Sequence, residues 1–126
     1  MRLLLDTHVW LWWLGDDRRL GRRARQALGN PRNEVYVSAA SAWEIAIKTA
    51  LGKLRVAKAD LEAEIEANGF LELAVRTRHA LRAGGLGPIH EDPFDRMLVA
   101  QAQVEDLTVV TGDPIFERYA VPVLDA

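Results

Sequence analysis

Cysteine is absent from the 126 residues. That excludes disulfides, zinc–thiolate centres and thiol nucleophiles, and it suits a reducing, cytoplasmic location, which is the expectation here. Long apolar runs are missing as well. The longest, Val9–Leu14, is far too short to cross a bilayer, and Asp6 interrupts the apolar start before it reaches the length of a signal-peptide core. No membrane association is expected. Neither sign of charge dominates: 16 Lys and Arg stand against 18 Asp and Glu, a net charge of −2. A protein that coats nucleic acid through its overall field would be basic, so any nucleic-acid contact here must be local. Repeats, linkers and low-complexity tracts are also lacking.

What is present suffices for one core. Apolar residues make up 49% of the chain, and the length fits a single domain over residues 1–126. Short apolar runs alternate with helical periods. Strands are predicted at Arg2–Leu5, Glu34–Ser38, Phe70–Val75, Leu107–Thr111 and Val121–Leu124. Helices are predicted at Thr7–Leu14, Arg18–Leu28, Ala39–Leu51, Lys58–Asn68, Thr77–Ala83, Pro93–Glu105 and, shorter, Pro114–Tyr119. In the fourth-decade helix Trp43, Ile47, Ala50 and Leu51 share one face. Strands alternating with helices imply crossover connections: an α/β fold of three layers, α/β/α, around a parallel sheet of four to five strands.

In such a sheet, ligands bind at the carboxyl ends of the strands. Asp6 follows the first strand directly, and Asp113 lies two residues beyond Thr111. Helices run back against the strands, so their N-termini share that edge. Asp95 occupies the first turn of the Pro93 helix, and Glu44 lies one to two turns into the Ala39 helix. Four carboxylates therefore converge from four segments. Each also has a plain structural use. Asp92-Pro93 and Asp113-Pro114 read as N-caps followed by proline. Ser41 to Glu44 fits a capping box, and Glu44 stands four residues before Lys48. Taken together, however, crowded carboxylates repel and raise one another's pKa. A hard divalent cation resolves the repulsion, and an all-oxygen donor set points to Mg²⁺ or Mn²⁺. Metal-assisted phosphodiester hydrolysis is the matching chemistry.

Four stretches carry a family resemblance: Leu-Leu-Leu-Asp-Thr-His-Val-Trp-Leu-Trp-Trp (3–13), Val-Ser-Ala-Ala-Ser-Ala-Trp-Glu-Ile-Ala-Ile-Lys (37–48), His-Glu-Asp-Pro-Phe-Asp-Arg-Met-Leu-Val-Ala-Gln-Ala (90–102) and Val-Val-Thr-Gly-Asp-Pro-Ile-Phe (109–116). In this order the chain resembles the PIN-domain family, and within it the VapC-type toxins. The resemblance implies a metal-holding, catalytic quartet on Asp6, Glu44, Asp95 and Asp113 around Mg²⁺ or Mn²⁺. It places hydroxyl partners of the acids at Thr7 and Thr111. The Asp-x-x-Leu-x-Ala pattern selects Asp95, leaving Asp92 as a helix cap and a partner to the ligands. It further implies RNA as substrate, a homodimer, a cognate VapB-like antitoxin that blocks the site, and contact with operator DNA only through that antitoxin.

Several residues stand outside this pattern. Arg18, Arg19, Arg22, Arg23 and Arg25 form either a patch for RNA phosphates or a solvated helix face. Trp10, Trp12 and Trp13 cannot all point inward from one helix, so at least one is expected at the surface. His8 and His90 lie near acids and are read as hydrogen-bonding or packing residues, and His79 carries no signal. Two other functions compete: a phosphatase or phosphotransferase with Asp6 as an aspartyl nucleophile, and a non-catalytic, metal-holding binding module.

Overall fold

The computed structural model describes residues 1–56 and 60–126. Five strands form one sheet: β1 (Arg2–Leu5), β2 (Glu34–Ser38), β3 (Leu71–Leu73), β4 (Thr108–Thr111) and β5 (Val123–Asp125). Their spatial order is β3-β2-β1-β4-β5, and every pairing is parallel. The chain lays β2 and β3 on one side of β1 and then crosses to lay β4 and β5 on the other. The direction of growth thus reverses between β1 and β4, the place where an open parallel sheet forms its ligand crevice.

Strand β1 is the centre because both its faces are apolar. Leu3, Leu4 and Leu5 are fully buried. Leu3 and Leu5 pack with Val9, Trp10, Leu20, Ala24 and Leu28. Leu4 points the other way, into Leu98, Val99, Ala102, Val109 and Phe116. The period-two alternation of a strand divides three consecutive leucines between two cores. Helices α1 (Thr7–Leu14), α2 (Arg22–Gly29) and α4 (Leu61–Ala67) cover the first face. The second face is covered by α6 (Pro93–Glu105), on which α5 (Thr77–Gly84) packs, and by the 3-10 turn Pro114–Arg118. Helix α3 (Ala39–Ala50) contacts both α1 and α6. The result is the expected three-layer α/β/α arrangement around a parallel sheet.

Some boundaries differ from the sequence reading, each for a local reason. Helix α2 starts at Arg22, not Arg18. The Asp17 carboxylate accepts the Arg19 backbone N–H (2.9 Å), and its carbonyl accepts that of Leu20 (3.1 Å), closing a turn before Gly21 caps the helix. Strand β3 is three residues because its partner ends: Leu73 pairs Ser38, the last residue of β2. Strand β5 starts at Val123, since Pro122 has no N–H to give a ladder. Helix α4 is capped by Asp60. The residues expected to begin that helix, Lys58 and Ala59, lie outside the described ones.

The expected apolar face of α3 is also corrected. The buried residues are Ala40, Ser41, Glu44 and Ile45, whereas Trp43 is 64% exposed and Leu51 is exposed too. Trp43 instead packs edge-on to Phe94 at the rim, with ring centroids 5.4 Å apart.

Candidate active site

Asp6 is placed by β1. Its backbone N–H extends the sheet by bonding the Val110 carbonyl (3.0 Å), and its side chain caps α1 by accepting the His8 N–H at Oδ1 (3.3 Å). Its second oxygen, Oδ2, accepts the Thr111 hydroxyl at 2.7 Å, and Thr111 Oγ1 in turn accepts the Asp113 backbone N–H at 3.0 Å. A buried chain of bonds thus runs from the end of β1 to the segment after β4. Asp113 itself caps the 3-10 turn through Ile115 N–H (3.0 Å) and is exposed.

Glu44 enters from α3. The N-cap of that helix is Ser38, whose hydroxyl accepts the Ala40 N–H (3.0 Å). The capping box expected from Ser41 to Glu44 is therefore absent: Ser41 lies inside the helix and accepts the Thr7 hydroxyl at 2.9 Å. That buried bond ties α3 to the first turn of α1, which is the role the structure gives Thr7. Freed from capping, Glu44 turns inward and is 4% exposed. Lys48 Nζ meets its Oε2 at 2.7 Å, the helical pair that the spacing predicts. Oε1 is buried and has no hydrogen-bond partner among the described residues. An unpartnered buried carboxylate oxygen costs about 1–3 kcal/mol or more, so this atom is open to a further donor or a cation.

Helix α6 brings the third acid. Asp92 caps it, accepting the N–H groups of Phe94 (2.8 Å) and Asp95 (3.0 Å). Asp95 Oδ2 is bonded to His90 Nε2 at 2.9 Å. The Arg96 guanidinium holds the loop that carries His90, donating to the carbonyls of Ala83, Gly87 and His90. Burial pushes the Asp95 carboxyl up to about 6; the His90 bond opposes this, and the charges of Asp92 and Asp6 add to it. Asp95 and Asp6 therefore share one electrostatic neighbourhood although they come from α6 and β1. Lys48 lies in the same field. Its ammonium is stabilised first by the Glu44 bond, against a desolvation penalty, and then by the charges of Glu44, Asp92 and Asp95. His8, with Nδ1 3.9 Å from Asp6 Oδ1, is likewise raised, first by Asp6.

The charges of Asp6 and Asp92 reach Asp95, those of Asp92 and Asp95 reach Lys48 beside Glu44, and those of Asp6 and Glu44 reach His8. Asp113 is tied to Thr111 through its backbone N–H, and its side chain is exposed. Among the described residues, the potential ligand atoms already gathered within 4.8 Å of one another in a group of three belong to His90, Asp92 and Asp95. Sequence reasoning rated His90 and Asp92 below this position and missed Lys48 as a member of the cluster. The i,i+4 spacing from Glu44 was the signal for Lys48; the nearness of His90 to an acid announced the hydrogen-bonding role it has with Asp95, not its place in the group of three.

A family model described as PIN domain matches residues 3–122. The chain belongs to the PIN-domain family. Ribonuclease VapC22 of Mycobacterium tuberculosis is 29% identical to it over 117 residues, covering 88% of this chain and 86% of that one. Among solved structures, the DNA-bound VapBC of Salmonella typhimurium is similar at a TM-score of 0.69 and 20% identity, covering 99% of this chain and 98% of that one. VapBC2 of Rickettsia felis, bound to a fragment of promoter DNA, is similar at 0.68 and 14%, with coverage of 99% and 98%. This PIN domain keeps its acids at the carboxyl edge of a fold shared with both.

The basic run before and within α2 divides in two. Arg19 pairs with Asp17 at 2.7 Å and lies over the Trp12 ring, 5.4 Å from its centroid. Arg25 pairs with Asp16 at 2.6 Å and donates to the carbonyls of Asp17 and Leu20. Arg18, Arg22 and Arg23 are exposed and have no ion-pair partner among the described residues. The tryptophans divide similarly: Trp10 is fully buried, while Trp12 and Trp13 are half-buried.

Proposed function

We propose that this PIN domain is an endoribonuclease dependent on Mg²⁺ or Mn²⁺, and that it serves as the toxin of a VapBC-type toxin–antitoxin pair. One observation carries the reading: Glu44 is buried, its Oε1 has no partner among the described residues, and the Lys48 bonded to it lies in the field of Asp92 and Asp95. The donors are carboxylate oxygens with an imidazole at the edge, which suits magnesium and is tolerated by manganese. Asp6, Glu44, Asp95 and Asp113 would hold the ion. A divalent ion there supplies Lewis acidity toward water and the scissile phosphate.

The protein's own part is positioning. Thr111 fixes Asp6, Ser38 and Thr7 fix the helix that bears Glu44, and Asp92 and His90 fix Asp95 from two sides. Arg18, Arg22 and Arg23 have guanidinium groups uncommitted to acids and are the residues assigned to RNA phosphates. Arg19 and Arg25 shape the turn that presents them.

A VapB-like antitoxin and operator DNA reached through it are supported by the similarity to VapC22 and to the DNA-bound VapBC structures, and a homodimer is proposed on the family resemblance. No helix among the described residues is long and apolar enough to cross a membrane, and the cytoplasm is the proposed location. An aspartyl nucleophile of this kind is served by a second acid two residues on, and this chain has His8 at that position.

The test uses purified, antitoxin-free protein with Mn²⁺ and structured RNA, comparing wild type with Asp6→Asn. Cleavage by wild type alone is expected. Equal cleavage by both would overturn the nuclease reading, and a trapped aspartyl-phosphate at Asp6 would replace it with phosphoryl transfer.

A further inference from the structure

The Glu44–Lys48 pair is not an ordinary helix-surface ion pair. Glu44 and Lys48 stand one turn apart on α3, yet the acid's side chain is 6% exposed and the base's 40%. The carboxylate is fixed and the ammonium is free to move on a flexible stem. The pair is also incomplete. A carboxylate offers about four lone-pair positions, and here a single ammonium reaches Oε2 while Oε1 has no partner. Lys48 further lies in the overlapping fields of Asp92 and Asp95 on α6. A monovalent cation thus already neutralises the carboxylate whose free oxygen the proposed divalent ion would take.

We infer that Lys48 is the resident counter-cation of this acidic cluster, exchanging with the divalent ion at Glu44 and then neutralising an RNA phosphate at the rim. The inference rests on the metal-dependent reading above. Cations on the two oxygens of one carboxylate repel each other, so the ion's arrival at Oε1 weakens the Lys48–Glu44 bond at Oε2, and that bond weakens the ion's binding. Such opposition is a negative coupling, and it is reciprocal. While the cluster is empty, Lys48 limits the repulsion between Glu44 and its neighbours. Once released, its stem reaches solvent beside the crevice, where the polyanionic substrate would lie. A pair serving only helix stability has neither consequence, since its loss weakens the fold without favouring metal.

The experiment titrates Mn²⁺ into wild type, Lys48→Met and Lys48→Arg, following binding by calorimetry and by the loss of the free-ion resonance signal. Lys48→Met is expected to melt lower without metal yet to bind Mn²⁺ about five- to tenfold more tightly. Lys48→Arg keeps the charge and should bind as wild type does, within about twofold. With RNA, Lys48→Met should raise KM several-fold and leave kcat nearly unchanged. Unaltered or weaker Mn²⁺ binding by Lys48→Met overturns the proposal while leaving the nuclease reading intact. Tighter binding with an unchanged KM removes the phosphate role. Absence of Mn²⁺ binding in wild type overturns both; tight Mn²⁺ binding without RNA cleavage overturns only the nuclease. Should Lys48→Met fail to fold, the wild type reports directly. The chain has three lysines, Lys48, Lys53 and Lys58, so ¹³C-methylated amines are readily resolved. Saturation with Mg²⁺ that shifts none of them refutes the exchange.

Discussion

Substituting Gln101 by Leu tests how the acids are held in place. Gln101 is fully buried in α6. Its Oε1 accepts the Ser38 hydroxyl at 2.6 Å, and its Nε2 donates to the Ala74 carbonyl at 3.2 Å. Ser38 is also the N-cap of α3. This side chain therefore joins the helix that bears Asp95 to the start of the helix that bears Glu44. Leucine fills nearly the same space but leaves the Ser38 hydroxyl and the Ala74 carbonyl without those partners. At about 1–2 kcal/mol for each, the expected loss is about 2–4 kcal/mol, or about 8–16 °C in Tm at roughly 4 °C per kcal/mol for a domain of this size. Ser38→Ala removes the cap, about 1 kcal/mol, and strands Gln101 Oε1 at about 1–3 kcal/mol. The double variant strands neither partner of the Ser38–Gln101 bond. It should lie near the less stable single variant, about 2 kcal/mol above the additive sum. Urea unfolding of the four proteins, in EDTA, measures the cycle. Additivity within about 0.5 kcal/mol would show that the bond does not couple the two helices, and the account of how the site is positioned would fall.

The remaining predictions concern the acids and the basic surface. Asp95 titrates near 6 in the metal-free protein, above its unfolded value, so the native state holds more protons than the unfolded one between about pH 4 and 6. Its contribution to stability is present below that window and is lost as pH rises through 6; the pH dependence of Tm in EDTA should show this in wild type minus Asp95→Asn, and a flat difference refutes it. Because metal competes with that proton, Mn²⁺ affinity should fall as pH drops below 6, as titration at pH 5 and 7 will show. Asp92→Ala should cost about 0.5–2 kcal/mol through the lost cap and retain some cleavage, whereas Asp95→Asn should abolish cleavage; the opposite pattern in thermal melts and RNA assays would transfer the ligand role to Asp92. Replacing Arg18, Arg22 and Arg23 together by Ala should reduce the slope of log binding constant against log salt for single-stranded RNA by about 2, at roughly 0.7 per phosphate.

Where a single segment decides its own conformation, the sequence was enough. The bounds of β1, α1, β2 and α6 are those read from apolar period, cap and proline. The misreadings arose where a distant neighbour decides. Trp43 is apolar, yet the α3 face that turns inward is set by Thr7 and Glu44, so the tryptophan is left at the rim. Ser41 has the spacing of a cap but lies three residues after Ser38, and the end of β2 selects the earlier serine. His79, which carried no signal, is buried; its Nδ1 accepts the Arg76 N–H at 3.0 Å, and Nε2 lies 3.2 Å from Glu105. Its partner Glu105 is 26 residues away on α6, beyond any local window. Among the acids, the place of Asp6 at the end of β1 was legible from topology, whereas its bond to Thr111 on the neighbouring strand was not.

The capping and metal-binding readings of these aspartates are not alternatives. Asp6, Asp92 and Asp113 each tie an oxygen to backbone N–H groups at the start of a helix or helical turn. A helix N-terminus carries partial positive charge, so each cap sets the side chain against a field of opposite sign. The cap also fixes the side chain to a backbone that the sheet has already positioned. Glu44 lacks this support, being on the second turn of α3, and Lys48 supplies a charge in its place. Asp95 lacks it too, and burial, with the charges of Asp92 and Asp6 added, raises its pKa. A parallel sheet that places helix starts beside strand ends therefore gathers carboxylates and partly neutralises them with the same geometry. Uncapped and raised by burial, Asp95 is the acid whose titration should move downward from about 6 as metal binds.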